Sequence, residues 1–416
     1  MCEDKMVQLA EIEDSGEVEL GRGNVISTGD LAAYPGNYPV YSSSAVGLGE
    51  FGRYGKYMFD EPLITWSVDG GGRPFLRKQH RFSVTNVCGY LRIRDPRKWD
   101  YGYLHAAILK AHEKIQFDYQ AKAHPSVIRE LYHLRWVPIK EQRLIARILD
   151  TLETQIQKTE ALIAKLVKVK EGLLHDLLTR GIGENGRLRP SPEQAPELYK
   201  ESPLGLIPRE WDAGELGKKA KITVGFVGTT SRFYTTEENG VTFFRTGNIT
   251  ENGLDSSDVK RVIPEFHKAN PKSSLRIGDI VVSRVGYTGN AAVVPEVGEA
   301  NCANMIIIRA HNDFPDFIRL LFSSSFMIEQ VAGFTVGSAQ PVLNIGMVNR
   351  LISIHPGLTE QNKIIRHMDC ITQIINIEIN YLEEKSSTKA GLMDDLLTGR
   401  VRVTPLLEQT KATTPA

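Results

Sequence analysis

Two ten-residue stretches, KEGLLHDLLT at Lys170–Thr179 and KAGLMDDLLT at Lys389–Thr398, are near copies of each other. The same separation of 219 residues places Glu141-Gln142 on Glu360-Gln361, so the two copies extend upstream without a gap over 39 positions. About a third of these positions are identical, where chance gives roughly one in fifteen. A repeat of this strength predicts two related halves in one chain.

Both copies have the period of an amphipathic helix. In the first, seam positions recur in alternating steps of four and three residues from Ile145 to Leu177, and only Thr159 and Lys170 interrupt the apolar seam. At about 1.5 Å per residue, each helix is close to 60 Å long. Because each apolar stripe must be buried, we expect the two helices to pack on each other in antiparallel orientation.

The segments that precede the helices have a different pattern. Short apolar and β-branched runs, separated by Gly, Asn and Pro turns, predict strands at Phe82–Val87, Tyr90–Ile93, Val241–Arg245, Asp279–Ser283, Ala291–Val294 and Met305–Ile308. Each segment also contains a helical stretch, Asp100–Ile115 in the first and Pro315–Val331 in the second.

The resulting order is mixed domain, long helix, mixed domain, long helix. It predicts an α+β protein in which two mixed α/β domains are separated by two long antiparallel coiled-coil helices, with an internal pseudo-twofold repeat. The predicted boundaries are 1–137 for the first mixed domain, 138–182 for the first long helix, 183–204 for a linker, 205–355 for the second mixed domain, 356–403 for the second long helix and 404–416 for a disordered tail.

Charge is unevenly distributed along the 416 residues, although the net charge is zero. Residues 53–100 hold ten Lys and Arg against five Asp and Glu, and residues 260–284 hold six against two. A neutral total therefore conceals two basic stretches, the kind of feature that contact with phosphate requires.

Other classes of protein are disfavoured by the same sequence. No apolar run approaches the ~18 residues that cross a bilayer, and the acidic N-terminus has no apolar signal-peptide region. The four cysteines are scattered and form no Cys-x-x-Cys pair, which argues against a zinc knuckle or a disulfide framework; they are Cys2, Cys88, Cys302 and Cys370. We therefore expect a cytoplasmic protein with no membrane association and no metal site.

Four motifs of the second half resemble the specificity subunits of Type I restriction-modification systems. They are SPLGLIP at Ser202–Pro208 followed by Trp211, GDIVVSRVG at Gly278–Gly286, GSAQP at Gly337–Pro341 and DLLTGR at Asp395–Arg400. The resemblance extends over essentially the whole chain. The first half departs from the pattern, with LITWSVDGG at Leu63–Gly71 for the central motif and HPSV at His124–Val127 for the exit.

The resemblance implies a DNA-recognition subunit without a catalytic site. Each mixed domain is then a target-recognition domain that binds one part of a bipartite, asymmetric site on double-stranded DNA. The helices dock two methyltransferase (M) subunits that modify adenine N6, and motor/nuclease (R) subunits join the complex. No cofactor is expected in this chain; S-adenosylmethionine, ATP and Mg2+ are implied in the partner subunits.

Candidate contact residues follow from residue type and from these motifs. Arg pairs with guanine, Asn or Gln pairs with adenine, and many polar contacts are to phosphate. The DNA-binding candidates are Arg73, Arg77, Lys78, Arg81, Arg284, Tyr287, Thr288, Asn290, Ser338, Gln340 and Asn344. The partner-docking candidates, from the repeated decapeptide, are Lys170, Gly172, Asp176, Lys389, Gly391 and Asp395. The alternative for each charged residue is a solvated surface charge, and for Gln340 and Asn344 a hydrogen bond that stabilises the loop.

Several catalytic motifs are absent from the sequence. It has no GxxxxGK[ST] phosphate loop, no [ND]PP[YF] tetrapeptide of an amino-methyltransferase and no HExxH. Two alternatives remain: a non-catalytic scaffold that displays two binding domains on a coiled coil, and a self-contained nuclease. The two basic, strand-rich segments favour the DNA reader over the scaffold, and the absence of a metal-binding carboxylate motif from the sequence disfavours the nuclease.

The length of the helices and their nearly unbroken seam predict that they set the gap between the two half-sites. Inserting four residues within 150–165, with a matching insertion in the second helix, adds ~6 Å and a net turn of ~40°. One DNA base pair adds ~3.4 Å and ~35°. Sequencing of modified DNA should show the same half-sites one base pair further apart, and an active variant with an unchanged gap would contradict the prediction. A seven-residue insertion, with a net turn near −20°, should be nearly inactive.

Overall fold

The structure, a computed structural model, describes residues 5–43, 49–69, 71–115, 122–250, 253–285, 289–335 and 342–412. The chain divides into two compact units: Met1–Leu162 with Glu378–Ala416 form the first, and Ile163–Ile377 form the second. Each long helix contributes residues to both units. No helix among the described residues is both long and apolar enough to cross a membrane.

The first mixed domain is followed by the first long helix. Its strands are β1 (Lys5–Gln8), β2 (Val18–Arg22), β3 (Tyr38–Tyr41), β4 (Glu50–Tyr54), β5 (Phe59–Asp60), β6 (Leu63–Ser67), β7 (Pro74–Arg77), β8 (Arg81–Val84), β9 (Cys88–Ile93) and β10 (His133–Trp136). The helices are α1 (Leu9–Asp14), α2 (Thr28–Ala33), α3 (Tyr101–His112), α4 (Pro125–Leu131) and the long helix α5 (Ile139–Thr179).

The second half of the chain begins with a connecting segment. Its strands are β11 (Tyr199–Ser202), β12 (Gly205–Pro208), β13 (Asp212–Glu215), β14 (Ala220–Val224), β15 (Val241–Phe244), β16 (Ile249–Thr250), β17 (Gly253–Leu254), β18 (Lys260–Val262), β19 (Ser274–Leu275), β20 (Ile280–Ser283), β21 (Ala291–Val293), β22 (Ala300–Cys302), β23 (Met305–Ala310) and β24 (Ile352–His355). Its helices are α6 (Pro264–Ala269), α7 (Pro315–Phe322), α8 (Ser325–Thr335), α9 (Ile345–Arg350), the long helix α10 (Leu358–Thr398) and α11 (Thr404–Ala412).

The two mixed domains have the same sheet topology. The first contains sheets of order β2-β9-β6-β7 and β4-β3-β8-β5, and the second contains β14-β23-β20-β21 and β18-β15-β22-β19. In each domain the first sheet is antiparallel, and the second contains one parallel pair, β3 with β8 or β15 with β22. The strands of these four sheets correspond one for one, and the β16-β17 hairpin is an addition in the second domain. The internal repeat therefore extends through domains whose sequences show little of it, and the predicted fold class is confirmed.

The long helices pack in antiparallel orientation within each unit. In the first unit, the start of α5 shares a hydrophobic core with the end of α10, through Ile145, Leu149, Met393, Leu396 and Leu397. In the second unit, the end of α5 shares a core with the start of α10, through Leu174, Leu177, Ile364, Met368 and Ile371. Thr159, a polar position of the predicted seam, is also buried.

Both helices end at the same place in the repeat. The last helical residues are Thr179 and Thr398, and the glycines that follow, Gly181 and Gly399, have φ angles of 65° and 80°. A side chain is strained in this left-handed region, whereas glycine adopts it freely, so glycine ends both helices.

A buried glutamine connects each long helix to its mixed domain. The Gln142 Oε1 atom accepts a hydrogen bond from the Asp100 N–H at 2.9 Å, and its Nε2 donates to the Lys98 and Val137 carbonyls, each at 2.8 Å. Its copy Gln361 is 1% exposed. One terminal carboxamide thus satisfies three backbone groups from two segments of the chain.

The contacts of Gln361 match those of Gln142. Its Oε1 accepts from the Phe314 N–H at 3.0 Å, and its Nε2 donates to the Pro356 carbonyl at 2.9 Å and to Asp313 Oδ1 at 2.6 Å. Pro356 is the repeat equivalent of Val137. The Gln of the repeated Glu-Gln pair therefore has a structural role in both halves.

The preceding glutamates are also largely buried and paired. Glu141 accepts from the Arg402 guanidinium at 3.0 Å in the first unit. Glu360 accepts from the Ile182 N–H at 2.7 Å and from Trp211 Nε1 at 3.0 Å, and it forms an ion pair with Arg189. In each unit the start of one long helix is thereby bonded to the chain that follows the end of the other helix.

Two predicted segments differ from the structure. The linker 183–204 is partly ordered, because β11 pairs with β12 across its predicted end. The predicted disordered tail was wrong for its first part, which forms α11. Val403 is buried at 2% exposure, and its carbonyl accepts from the Leu406 and Leu407 N–H groups, so burial of one apolar residue starts a helical turn.

Replacing Gln361 by Leu should destabilise the second unit by about 2–4 kcal/mol. The apolar side chain leaves the Phe314 N–H and the Pro356 carbonyl buried without partners, and each such group costs roughly 1–3 kcal/mol. Urea unfolding of the full chain measures the change. Gln373→Leu, at an exposed position of the same helix, is the matched control and should shift the free energy of unfolding by less than about 0.5 kcal/mol. Equal effects would contradict the assigned role.

Candidate nucleic-acid interface

In each mixed domain the end of the central strand is bonded to the exit loop. The central strand β6 or β20 ends in a serine, and the next residue, Val68 or Arg284, accepts a backbone hydrogen bond. The donor is the Ala123 N–H at 2.7 Å in the first domain and the Leu343 N–H at 3.0 Å in the second. The structure thus brings together the two motif regions that the sequence predicted to contact DNA.

The basic cluster of the first domain is only partly available to a ligand. Arg73 is exposed and forms no ion pair with any residue that the structure describes. Lys78 is exposed but bonds to Asp150 of α5 at 2.9 Å, and Arg81 is exposed and bonds to Asp60 at 3.0 Å. Exposed ion pairs of this kind contribute little stability, so both cations can exchange their partner for a phosphate.

Arg77 requires a correction, because it does not lie on the surface. It is 5% exposed, its Nε donates to Thr65 Oγ1 at 2.9 Å, and its guanidinium stacks 3.6 Å from the centre of the Tyr41 ring. Burial lowers the pKa of Arg77, and the neighbouring Tyr41 opposes that shift. The side chain joins the two sheets of the domain, and the prediction that it contacts DNA was wrong.

In the second domain the described candidates differ in role. Asn290 is exposed, and its backbone carbonyl accepts the Ser283 N–H. Asn344 is the N-cap of α9, and its side chain accepts from the Met347 N–H at 2.9 Å, the local hydrogen bond that was the alternative for this residue. Arg284 is half-buried, and its Nε donates to the Leu343 carbonyl at 2.9 Å.

Four further candidates lie outside the described residues: Tyr287, Thr288, Ser338 and Gln340. Their predicted roles stay predictions. The chain on both sides of each segment is placed, since Val285 and Gly289 bracket the first and Thr335 and Val342 bracket the second.

Sequence reasoning missed Trp66. It lies in β6, is 3% exposed, and its Nε1 donates to the Ala123 carbonyl at 2.8 Å. Arg284 makes the corresponding bond to Leu343 in the second domain. The one signal in the sequence was the position of Trp66 inside LITWSVDGG, the counterpart of the central motif.

The partner-docking candidates lie along the two long helices. Gly172 and Gly391 are exposed, and an added Cβ at either position would meet no atom within 4 Å. Asp395 bonds to Arg400 at 2.9 Å and Asp176 lies 3.5 Å from Arg180, so the two acids are alike in pairing with the residues after the helix end.

The remaining two candidates are lysines at equivalent positions of the repeat. Lys170 is half-buried in the second unit. Lys389 forms an ion pair with Glu153 of α5 in the first unit, and this contact between helices already occupies its ammonium group. Lys389 is therefore less available to a partner than the sequence implied.

Asp313, His355 and Ser353 are connected in the Asp-His-Ser arrangement of a hydrolase, but the serine is not accessible to a substrate. Asp313 Oδ2 lies 2.8 Å from His355 Nδ1, and His355 Nε2 lies 2.8 Å from Ser353 Oγ. Burial raises the pKa of Asp313, but the hydrogen bond and charge of His355, the hydrogen bond from Gln361 and the charge of Lys219 together hold that pKa below the usual value. Ser353 is 0% exposed and also lies 3.2 Å from the Gly214 carbonyl, so a substrate cannot reach it. The cluster is structural.

Two of the described thiols, Cys88 and Cys302, are buried, whereas Cys370 is exposed. Burial raises the pKa of Cys88 to about 11 and raises that of Cys302 further, so both thiols stay protonated near neutral pH. Within the described ranges no group of three or more His, Cys, Asp or Glu side chains is arranged to hold a metal ion. The candidate residues at the end of the central strand have the polar groups of a binding surface.

Comparison with known proteins gives consistent matches. The family model described as the Type I restriction modification DNA specificity domain matches residues 5–168. The Type I restriction enzyme MjaVIII specificity subunit of Methanocaldococcus jannaschii is 23% identical over 353 residues, with 82% of this chain and 79% of that protein covered. The N-terminus of a type I specificity subunit of Mycoplasma pneumoniae, S.MpnORF289P, is 34% identical over 136 residues, which are 32% of this chain and 72% of that protein.

A solved structure shares the fold. The S subunit of a Type-I restriction-modification system from M. genitalium superposes with a TM-score of 0.59 at 15% sequence identity, and the match covers 95% of this chain and 96% of that one. At this identity the likeness bears on the fold alone. It includes both units and both long helices, since so little of either chain lies outside it.

Proposed function

This chain belongs to the type I restriction-modification DNA specificity subunits, a family of non-catalytic proteins that recognise DNA sequence, and on that basis we propose that each of its two units binds one half of a bipartite site on double-stranded DNA. The single observation that carries this proposal is the one-for-one correspondence of the two mixed domains. Two domains of one topology with different surface residues suit two different half-sites.

The contact surface in each unit is built around the end of the central strand. Arg73 in the first unit and Asn290 in the second are exposed beside that strand end and belong to residue types that pair with base edges or phosphates. Lys78 and Arg81 add charge that a phosphate can attract away from their exposed carboxylate partners. The net positive charge of the first-unit cluster supports contact with the DNA backbone.

The same proposal assigns the long helices to assembly with two methyltransferase subunits. Glycine in a helix interior costs about 1 kcal/mol relative to alanine, and nothing inside this chain requires it at Gly172 or Gly391, because both have open space around them. Close approach of another protein surface would require it. Since the two glycines are copies within the repeat, they support two equivalent docking positions.

The chemistry of the complex is assigned to the other subunits. The methyltransferase subunits would hold S-adenosylmethionine and modify adenine N6, and motor/nuclease subunits would use ATP and Mg2+. In this chain the buried Cys88 thiol is protonated and the Asp313-His355-Ser353 cluster is closed to substrate.

The half-sites should respond separately to mutation. Arg73→Ala should relax base preference only in the half-site read by the first unit, and Asn290→Ala only in the other, each at a cost of about 1–3 kcal/mol if a base contact is lost. Selection from a library of randomised DNA duplexes by the complex of this chain with its partner subunits, followed by sequencing, measures both preferences at once. A single substitution that alters both half-sites would sink the proposal.

The docking assignment predicts opposite effects on stability and on assembly. Gly172→Gln and Gly391→Gln should each stabilise the chain itself by up to about 1 kcal/mol, because Gln is the better helix former. Each should also remove one of two methyltransferase subunits from the complex, as counted by native mass spectrometry. Ala164→Gln, at an exposed site of α5, is the control and should leave the stoichiometry at two. Full assembly of the Gly172, Gly391 double variant would place the interface elsewhere.

A further inference from the structure

In each mixed domain the residue two positions before a short helix, Ala123 before α4 and Leu343 before α9, is held at both of its backbone polar groups. In the first domain the Ala123 N–H donates to Val68 and the Ala123 carbonyl accepts from Trp66. In the second domain the Leu343 N–H donates to Arg284 and the Leu343 carbonyl accepts from the Arg284 side chain. We call these contacts the exit clamp.

The exit clamp is made by unrelated donors in the two halves. An indole N–H supplies it in the first domain at 2.8 Å, and a guanidinium N–H supplies it in the second at 2.9 Å. Trp66 lies two residues before the strand-end acceptor Val68, whereas Arg284 is itself the acceptor residue. Tryptophan and arginine have no chemical likeness, yet they donate to equivalent carbonyls in the two domains, those of Ala123 and Leu343. The position therefore requires the bond, whichever side chain supplies it.

The clamped residues are fully buried, which makes the contact costly to lose. Ala123 and Leu343 are both 0% exposed. A buried carbonyl without a donor costs roughly 1–3 kcal/mol, and water cannot replace the donor at a closed site. The two hydrogen bonds of the exit clamp therefore restrict the position of the backbone at Ala123 and at Leu343.

The position of the clamp connects it to recognition. On one side, residues 116–121 and 336–341 precede the clamped residue in the chain, and the second of these contains Ser338 and Gln340. On the other side, the turn after the central strand follows directly and contains Asn290. In the second domain the exit clamp therefore joins two described residues, Arg284 and Leu343, that lie next to these segments in the chain.

We propose that Arg284 and Trp66 are positioning residues for sequence recognition: each holds the backbone of Leu343 or Ala123 against the end of the central strand in its own half, and Arg284 acts through Leu343 and not on a base. This inference rests on the proposed function. It reassigns Arg284, whose type and motif alone suggested direct contact with guanine. The Arg284 Nε atom already donates to the Leu343 carbonyl at 2.9 Å, and the side chain is half-buried. Both observations favour the positioning role.

The test is duplex selection with the full complex carrying Arg284→Met, which keeps the length of the side chain but removes the donor. A positioning residue predicts loss of preference at several base pairs of the second unit's half-site, about tenfold weaker binding to the preferred sequence and no change in the other half-site. Arg284→Lys restores a donor and should recover part of the preference. Arg276→Met, at an exposed arginine of the same unit, is the control and should bind as the unmodified complex does.

The other outcomes each have a distinct meaning. Altered preference at a single base pair would show that Arg284 contacts that base, and uniform weakening of all sequences with a smaller salt dependence would show that it contacts phosphate; both overturn the proposal, as does unchanged selectivity. If the unmodified complex selects no bipartite sequence at all, the proposed function itself fails. Thermal unfolding of each variant is measured in parallel, and if Arg284→Met does not fold, Arg284→Lys alone decides the result.

The reciprocal variant tests the first half. Trp66→Phe removes the N–H donor and keeps an aromatic ring in the core, and it should relax only the half-site that Arg284→Met leaves unchanged. If Trp66→Phe relaxes neither half-site in a folded complex, the clamp has no role in recognition in the first domain, and the shared role proposed for the two residues is wrong.

Discussion

The buried carboxamides of Gln142 and Gln361 are the contacts on which the arrangement of each half depends. Each one joins the backbone of a mixed domain to the residue two positions before the start of its long helix, Val137 or Pro356. A carboxamide presents a donor and an acceptor at fixed spacing, and an apolar side chain of the same size could satisfy neither partner. The direction in which each helix leaves its domain is therefore set by hydrogen bonds, while apolar packing along the seam supplies most of the stability.

The glutamine contact occurs in both halves, so the residues that support the fold are distinct from those that would recognise DNA. The glutamines, the helix-ending glycines and the order of strands are common to both halves, whereas the side chains at the end of the central strand differ. Trp66 and Arg284 show how far they can differ while the same backbone carbonyl stays bonded. A protein built in this way can change its target sequence in one half without disturbing the frame that both halves share.

The charge pattern of the sequence indicates where the basic stretches lie but not which of their cations lack a partner inside the protein. Three of the four cations predicted in the first domain already have partners inside the protein: Arg77 stacks on Tyr41, Lys78 bonds to Asp150 and Arg81 bonds to Asp60. Of these four cations, only Arg73 is exposed and forms no ion pair with a residue that the structure describes. The partners are distant in sequence, so no local pattern could have distinguished a buried arginine from a DNA-contacting one.

The sequence by itself determined the long helices, the repeat, the main strands and the family, because helix period, strand alternation and motif spacing are properties of neighbouring residues. It also placed the motifs from which the interface is built. Tertiary structure alone decided that Asn344 caps a helix, that Arg77 is buried, and that residues 57 and 59 positions apart form the exit clamp. Those contacts depend on which strands become neighbours in a sheet, and that choice is made by packing over the whole domain.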